Sequence, residues 1–108
     1  MPAHRILLDE CVDRRVRAAM RGCHVKTAPE MGWAGLKNGK LLAQATGQFD
    51  VFVTVDRNLS FQQDITKYQI AVAVLHARTN RLIDLLPVMP RLMRALSNLL
   101  PGKVYHFP

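Results

Sequence analysis

Three stretches of this chain are apolar or β-branched almost without interruption: Ile6-Leu7-Leu8, Val51-Phe52-Val53-Thr54-Val55 and Ile70-Ala71-Val72-Ala73-Val74-Leu75. A strand with one face in water alternates apolar and polar residues, whereas a strand covered on both faces has no reason to. Short runs of this kind, bounded by polar residues, predict buried strands of a parallel sheet. That prediction constrains everything between them, because parallel strands can be joined only by crossovers, usually helical ones.

The intervening segments have the patterns such crossovers need. Strands are predicted at Arg5–Leu8, His24–Thr27, Val51–Val55, Ile70–Leu75 and Lys103–Phe107, the last at a sheet edge. A helix is predicted over Val12–Arg21, where Val12, Val16, Ala19 and Met20 fall on one stripe and Arg14, Arg17 and Arg21 on another. A second spans Asn38–Thr46, with Leu41, Leu42 and Ala45 on its apolar face, Asn38 as its N-cap and Gly47 as its stop. A short helix or turn is expected over Asn58–Asp64. Further helices are expected at Leu82–Leu86 and Pro90–Leu100, separated because Pro87 and Pro90 interrupt a continuous helix. The resulting β-α-β-α-β-α-β-α-β order predicts an α/β fold with a mostly parallel sheet of four to five strands and helices on both faces. A chain of 108 residues that is 49% hydrophobic fits one domain with a core that needs no disulfides.

Fifteen Lys and Arg against eight Asp and Glu give a formal charge of +7. A basic surface suits a polyanionic partner such as RNA or DNA, although charge of this size also serves solubility alone. Cys11 and Cys23 form no Cys-x-x-Cys pair and no paired histidine motif accompanies them, so neither zinc nor a disulfide framework is expected. Met1-Pro2-Ala3-His4-Arg5 runs straight into a strand, no secretory leader is legible, and no run reaches the length of a membrane span. The expectation is a soluble cytoplasmic protein.

Two of the buried runs end on acids. Asp9 and Glu10 follow Leu8, and Asp56 follows Val55. In open α/β sheets ligands bind outside the carboxyl ends of the strands, and neighbouring strands lie about 5 Å apart. Two carboxylates so placed can share Mg²⁺ or Mn²⁺, which take oxygen ligands and keep several waters. Taken singly, each acid reads rather as a local cap, Asp9 for the helix near Val12 and Asp56 for the turn at Arg57-Asn58. Their joint occurrence favours a site.

The acid-bearing stretches Ile6-Leu7-Leu8-Asp9-Glu10 and Val53-Thr54-Val55-Asp56-Arg57-Asn58 resemble those of small PIN-like proteins, relatives of PIN-domain ribonucleases and VapC-like toxins. Glu30-Met31-Gly32-Trp33-Ala34-Gly35 between them and Ala77-Arg78-Thr79-Asn80-Arg81-Leu82 after them extend the resemblance over nearly the whole chain. It implies a three-layer α/β/α fold, a Mg²⁺ or Mn²⁺ site, cleavage of RNA, and an antitoxin-like protein or a second copy as partner. Asp9 matches the first metal-binding acid of the pattern and Asp56 the acid of the Thr-x-Asp strand. Asn58 lies where relatives often carry a further acid. Glu10, Asp13 and Glu30 are candidates for a third ligand, although strand alternation turns Glu10 away from Asp9 unless the strand has ended.

One departure bears on activity. The helix between the acids opens Asn38-Gly39-Lys40, where many relatives carry Glu or Asp. An ammonium ~4 Å from a carboxylate, at an effective dielectric near 20, is worth about 4 kcal/mol of Coulomb energy before desolvation, and it would compete with a cation. Lys40 therefore points to a degenerate site, unless it faces solvent as lysines usually do. Arg57, Arg78 and Arg81, with Lys40, are the candidate substrate-binding residues, because guanidinium forks suit phosphate. Arg14, Arg15, Arg17 and Arg21 would extend that path. Trp33 either stacks on a base or packs the core edge, and His76 at a strand end reads as structural. Two other readings remain: a nucleic-acid- or protein-binding module that does not cut, and a receiver-like phosphoacceptor domain. The latter would use Thr79 after the fourth strand but needs a lysine after the fifth, which the sequence does not offer.

Overall fold

The computed structural model describes residues 3–59 and 63–108. Its strands are β1 (Arg5–Leu8), β2 (His24–Thr27), β3 (Val51–Thr54), β4 (Ala71–Leu75) and β5 (Val104–Phe107). All pair in parallel, in the order β2-β1-β3-β4-β5, so β5 is an edge strand as expected. Among the described residues, α-helices with defined bounds are α1 (Asn38–Ala45), α2 (Leu82–Leu85) and α3 (Met89–Ala95).

Successive side chains explain the uninterrupted runs. Ile6, Leu8, Val51, Val53, Ala71, Ala73 and Leu75 pack with Val16, Met20, Leu85, Met89 and Leu92 on one face of the sheet. Leu7, Phe52, Val72 and Val74 pack with Leu41, Leu42, Ala45, Leu59 and Ile65 on the other. Both faces are covered, so both sets of alternating positions are apolar. Full burial of one such side chain is worth about 1.5–3 kcal/mol, which makes the three central strands the rigid base of the molecule.

The first crossover differs from expectation. Instead of an α-helix over Val12–Arg21, a 3-10 helix spans Arg14–Ala19, with Asp13 capping it by accepting from the Arg15 N–H. Over so few residues, an apolar spacing cannot separate three residues per turn from 3.6. Val12, Val16 and Met20 are buried all the same. Asn38 begins α1 as expected but does not cap it: the N-cap position falls on Lys37, which makes no side-chain cap bond. Near the carboxyl terminus the prolines divide the helical segment as expected, with α2 and α3 joined by a 3-10 helix. Pro87 and Pro90 each occupy a first-turn position, one in a 3-10 helix over Leu86–Val88 and the other in α3, where a missing N–H costs nothing. α3 ends at Ala95 and a 3-10 helix over Leu96–Asn98 follows, so the helix expected to reach Leu100 is shorter. Of the helix or turn expected over Asn58–Asp64, Ser60, Phe61 and Gln62 lie outside the described residues; the Gln63 N–H bonds the Leu59 carbonyl at 3.0 Å across them. Trp33 packs edge-on against Phe49, with ring centroids 6.1 Å apart, and so belongs to the core edge. Among the described residues no helix is long and apolar enough to cross a membrane.

Candidate functional site

The strand order fixes where a crevice opens. From β1 the chain crosses outward to β2, then returns past β1 to β3 and continues to β4 and β5. The connections leaving β1 and β3 therefore diverge, and their carboxyl ends form the switch point at which doubly wound sheets bind ligands. Asp9 and Asp56 stand at those two ends. The Asp9 N–H bonds the Val53 carbonyl at 2.9 Å, extending the β1–β3 ladder by one residue.

Thr54 connects the two acids. It is fully buried at the end of β3. Its hydroxyl donates to Asp9 Oδ2 at 2.7 Å and accepts from the Asp56 N–H at 3.0 Å. Asp9 is itself buried, and its Oδ1 accepts from the Glu10 N–H at 2.8 Å while Oδ2 also accepts from the Cys11 thiol at 3.2 Å. Burial pushes that thiol up to about 11, which keeps it protonated and donating at neutral pH. Asp56 Oδ1 accepts from the Asn58 N–H at 2.9 Å, so Asp56 orders the following turn as expected. Its Oδ2 accepts from Asn38 Nδ2 of α1 at 3.3 Å. Asp9 does not cap the next helix through its side chain; Asp13 does that.

Every one of these donors is neutral. The ion pairs among the described residues join Arg5 to Asp50, Arg15 to Asp13, Arg17 to Glu30 and Arg81 to Asp84, and none reaches Asp9 or Asp56. Among the described residues, none of the basic side chains forms an ion pair with these two acids. Lys40 is exposed and forms none of these pairs, so the competition expected from its ammonium is not present in the structure. The residue of α1 that reaches the site is Asn38.

The third-ligand candidates divide in the same way. A cavity of about 340 Å³ beside Asp9 is lined by Glu10, Asp13, Thr27 and Glu30. Arg15 holds the Asp13 carboxyl down to about 2, and Glu30 is held low by the Thr27 N–H and by Arg17. Asp13 and Glu30 are therefore committed, and Glu10 is exposed. Among the described residues no group of three His, Cys, Asp or Glu side chains stands close enough to hold a metal. What the site offers instead is two carboxylates with the Thr54 hydroxyl between them. That hard-oxygen set fits Mg²⁺, which binds through one or two carboxylates and keeps its waters.

The basic candidates lie on the β4 side. The Arg57 guanidinium donates to the Ala77 carbonyl at 3.1 Å, and Arg78 is exposed in the loop after β4. Arg81 is drawn into a local cap: its N–H bonds the Thr79 hydroxyl at 3.0 Å, and its side chain pairs with Asp84 at 4.0 Å. The Thr79 hydroxyl in turn donates to Asp84. Asn80 ties this loop to the Cys11 carbonyl at 3.5 Å. The side chains that sequence reasoning missed as site residues are Thr54, Asn38 and Cys11. Thr54 carried a readable signal, as the one hydroxyl in a buried strand with an acid two residues later. No family profile, curated protein or solved structure matches the chain.

Proposed function

We propose that this protein is a metal-dependent ribonuclease of the PIN-like type, with Asp9 and Asp56 as the groups that hold Mg²⁺ or Mn²⁺. The observation that carries this reading is the pair of acids at the switch point, joined through Thr54 and satisfied only by neutral donors. Uncompensated carboxylate charge disfavours folding unless something else gains from it, and a cation is the partner it suits. When bound, such an ion supplies an activated water and neutralises charge building on the phosphate. The chain's own residues do the rest. Thr54 and Asn58 fix the two carboxylates, Glu10 stands beside Asp9, and Arg57 and Arg78 present cationic donors along the carboxyl edge of the sheet.

A second reading has one observation in its favour. The described residues hold no three-acid group, which fits a PIN-like module that binds nucleic acid or protein without cutting. Both readings accept RNA, an antitoxin-like protein or a second copy as partner; the exposed Ile83, Leu86 and Leu100 are the large apolar side chains such a protein would cover. The free thiols Cys11 and Cys23 suit the cytoplasm. Calorimetric titration with Mn²⁺ separates the readings. The wild type is expected to bind, and Asp56→Asn to lose the binding. Failure of both proteins to bind at millimolar metal overturns the nuclease and leaves the binding module.

A further inference from the structure

Two histidines at the carboxyl edge of the sheet are not used by the acid site. His106 lies in β5 opposite Val74, and Val74 lies opposite Thr54. Register partners in a parallel pair share a face, as do residues two apart on one strand. Thr54, Val74, His106 and His76 therefore emerge on the face that α1 covers, in line with the hydroxyl that joins Asp9 to Asp56. Here His76 Nε2 and His106 Nδ1 approach to 2.7 Å, with ring centroids 4.9 Å apart. The centroid distance exceeds the nitrogen distance by only about two ring radii, so the nitrogens point at one another. Rings sharing a metal would aim both lone pairs at a third point; this geometry is an N–H···N hydrogen bond.

Such a bond determines what the pair shows outward. One inner nitrogen donates and the other accepts, which leaves His76 Nδ1 and His106 Nε2 as one outward N–H and one outward lone pair. A single added proton keeps the inner bond and makes both outward nitrogens donors. Arg57, from the loop after β3, lies alongside, donating to the carbonyl of Ala77, the residue next to His76. Desolvation first, then the charges of Arg57 and His106, hold His76 below its usual range. Cationic and N–H donors converging on one edge favour an anion and disfavour a metal.

We propose that His76, His106 and Arg57 form a phosphate-binding subsite beside the acid pair, contacting phosphoryl oxygens of a phosphodiester or of free phosphate. Assigning it to an RNA backbone rests on the ribonuclease reading above; phosphate recognition itself does not. The test is a titration of the imidazole carbon-bound protons by NMR, without divalent metal, using inorganic phosphate in one arm and the dinucleotide UpU in another. Both histidines are expected to shift together and saturably in wild type. Affinity is expected to fall about tenfold or more in His106→Ala and in Arg57→Gln, the usual loss for a hydrogen bond to a charged group. His106 is exposed, so His106→Ala is expected to keep wild-type amide dispersion. A response to UpU assigns the subsite to a diester, and a response to inorganic phosphate alone assigns it to a free phosphate. Absence of a saturable shift, or equal affinity in wild type and both variants, overturns the proposal. Asp56→Asn is expected to retain the phosphate response while losing Mn²⁺, so failure of one proposal is distinguishable from failure of the other.

Discussion

At the amino ends of β1 and β3, Arg5 meets Asp50; at the carboxyl ends of the same two strands, Asp9 stands beside the Thr54–Asp56 turn. The amino end is a closed ion pair. The Arg5 guanidinium lies 3.0 Å from Asp50 Oδ1, and the Arg5 N–H bonds Asp50 Oδ2 at 2.8 Å. The carboxyl end has the same acid type on the same strands but recruits a hydroxyl, a thiol, an amide and backbone N–H groups. An acid that ties two strands together is neutralised by a neighbouring arginine. The acids at the carboxyl end are held, among the described residues, by neutral donors.

The comparison breaks most sharply at Thr54. Thr54→Val keeps the shape but leaves Asp9 Oδ2 and the Asp56 N–H short of a partner in a buried setting. The expected loss is about 1–3 kcal/mol by denaturant unfolding, unchanged by salt. A loss that disappears at high salt would place Thr54 with the surface charges. Arg5→Ala is expected to cost less than Thr54→Val. Its cost should shrink in 1 M salt, where the screening length is about 3 Å, because both partners are largely in water. The smallest effect is in the acid limb of stability. Arg5 holds the Asp50 carboxyl below its ordinary value, so the folded state binds that proton less readily than the unfolded chain. The stability it contributes is present above the unfolded value and lost as pH falls through the folded one. Asp50→Asn is accordingly expected to flatten the decline of stability below about pH 4. An unchanged acid limb would mean that Asp50 is not stabilised by Arg5 in solution.

Much of the site was legible before the fold was known. The acids at the ends of Ile6–Leu8 and Val51–Val55 are adjacent because both runs are central strands, and both runs were readable as such from their lack of alternation. Lys40 was misleading because it shares the first turn of α1 with Asn38, yet helix rotation decides which side chain of that turn faces the sheet. Asn38 faces it and Lys40 does not. The His76–His106 pair was invisible for a related reason. One member of a cross-strand pair reads as an isolated histidine until the register of β4 and β5 is known.

The sequence by itself determined the five strands, the burial of the central ones on both faces, and the presence of acids where two of them end. Those features are local, since they follow from which residues are apolar and where the runs stop. Tertiary structure alone decided that β1 and β3 are neighbours across a switch point and that Thr54 bridges their acids. It also decided that, among the described residues, no arginine or lysine forms an ion pair with those acids, and that two histidines distant in the chain share a hydrogen bond. Each of these depends on strand order, register or helix rotation, and those are set by how the apolar faces pack.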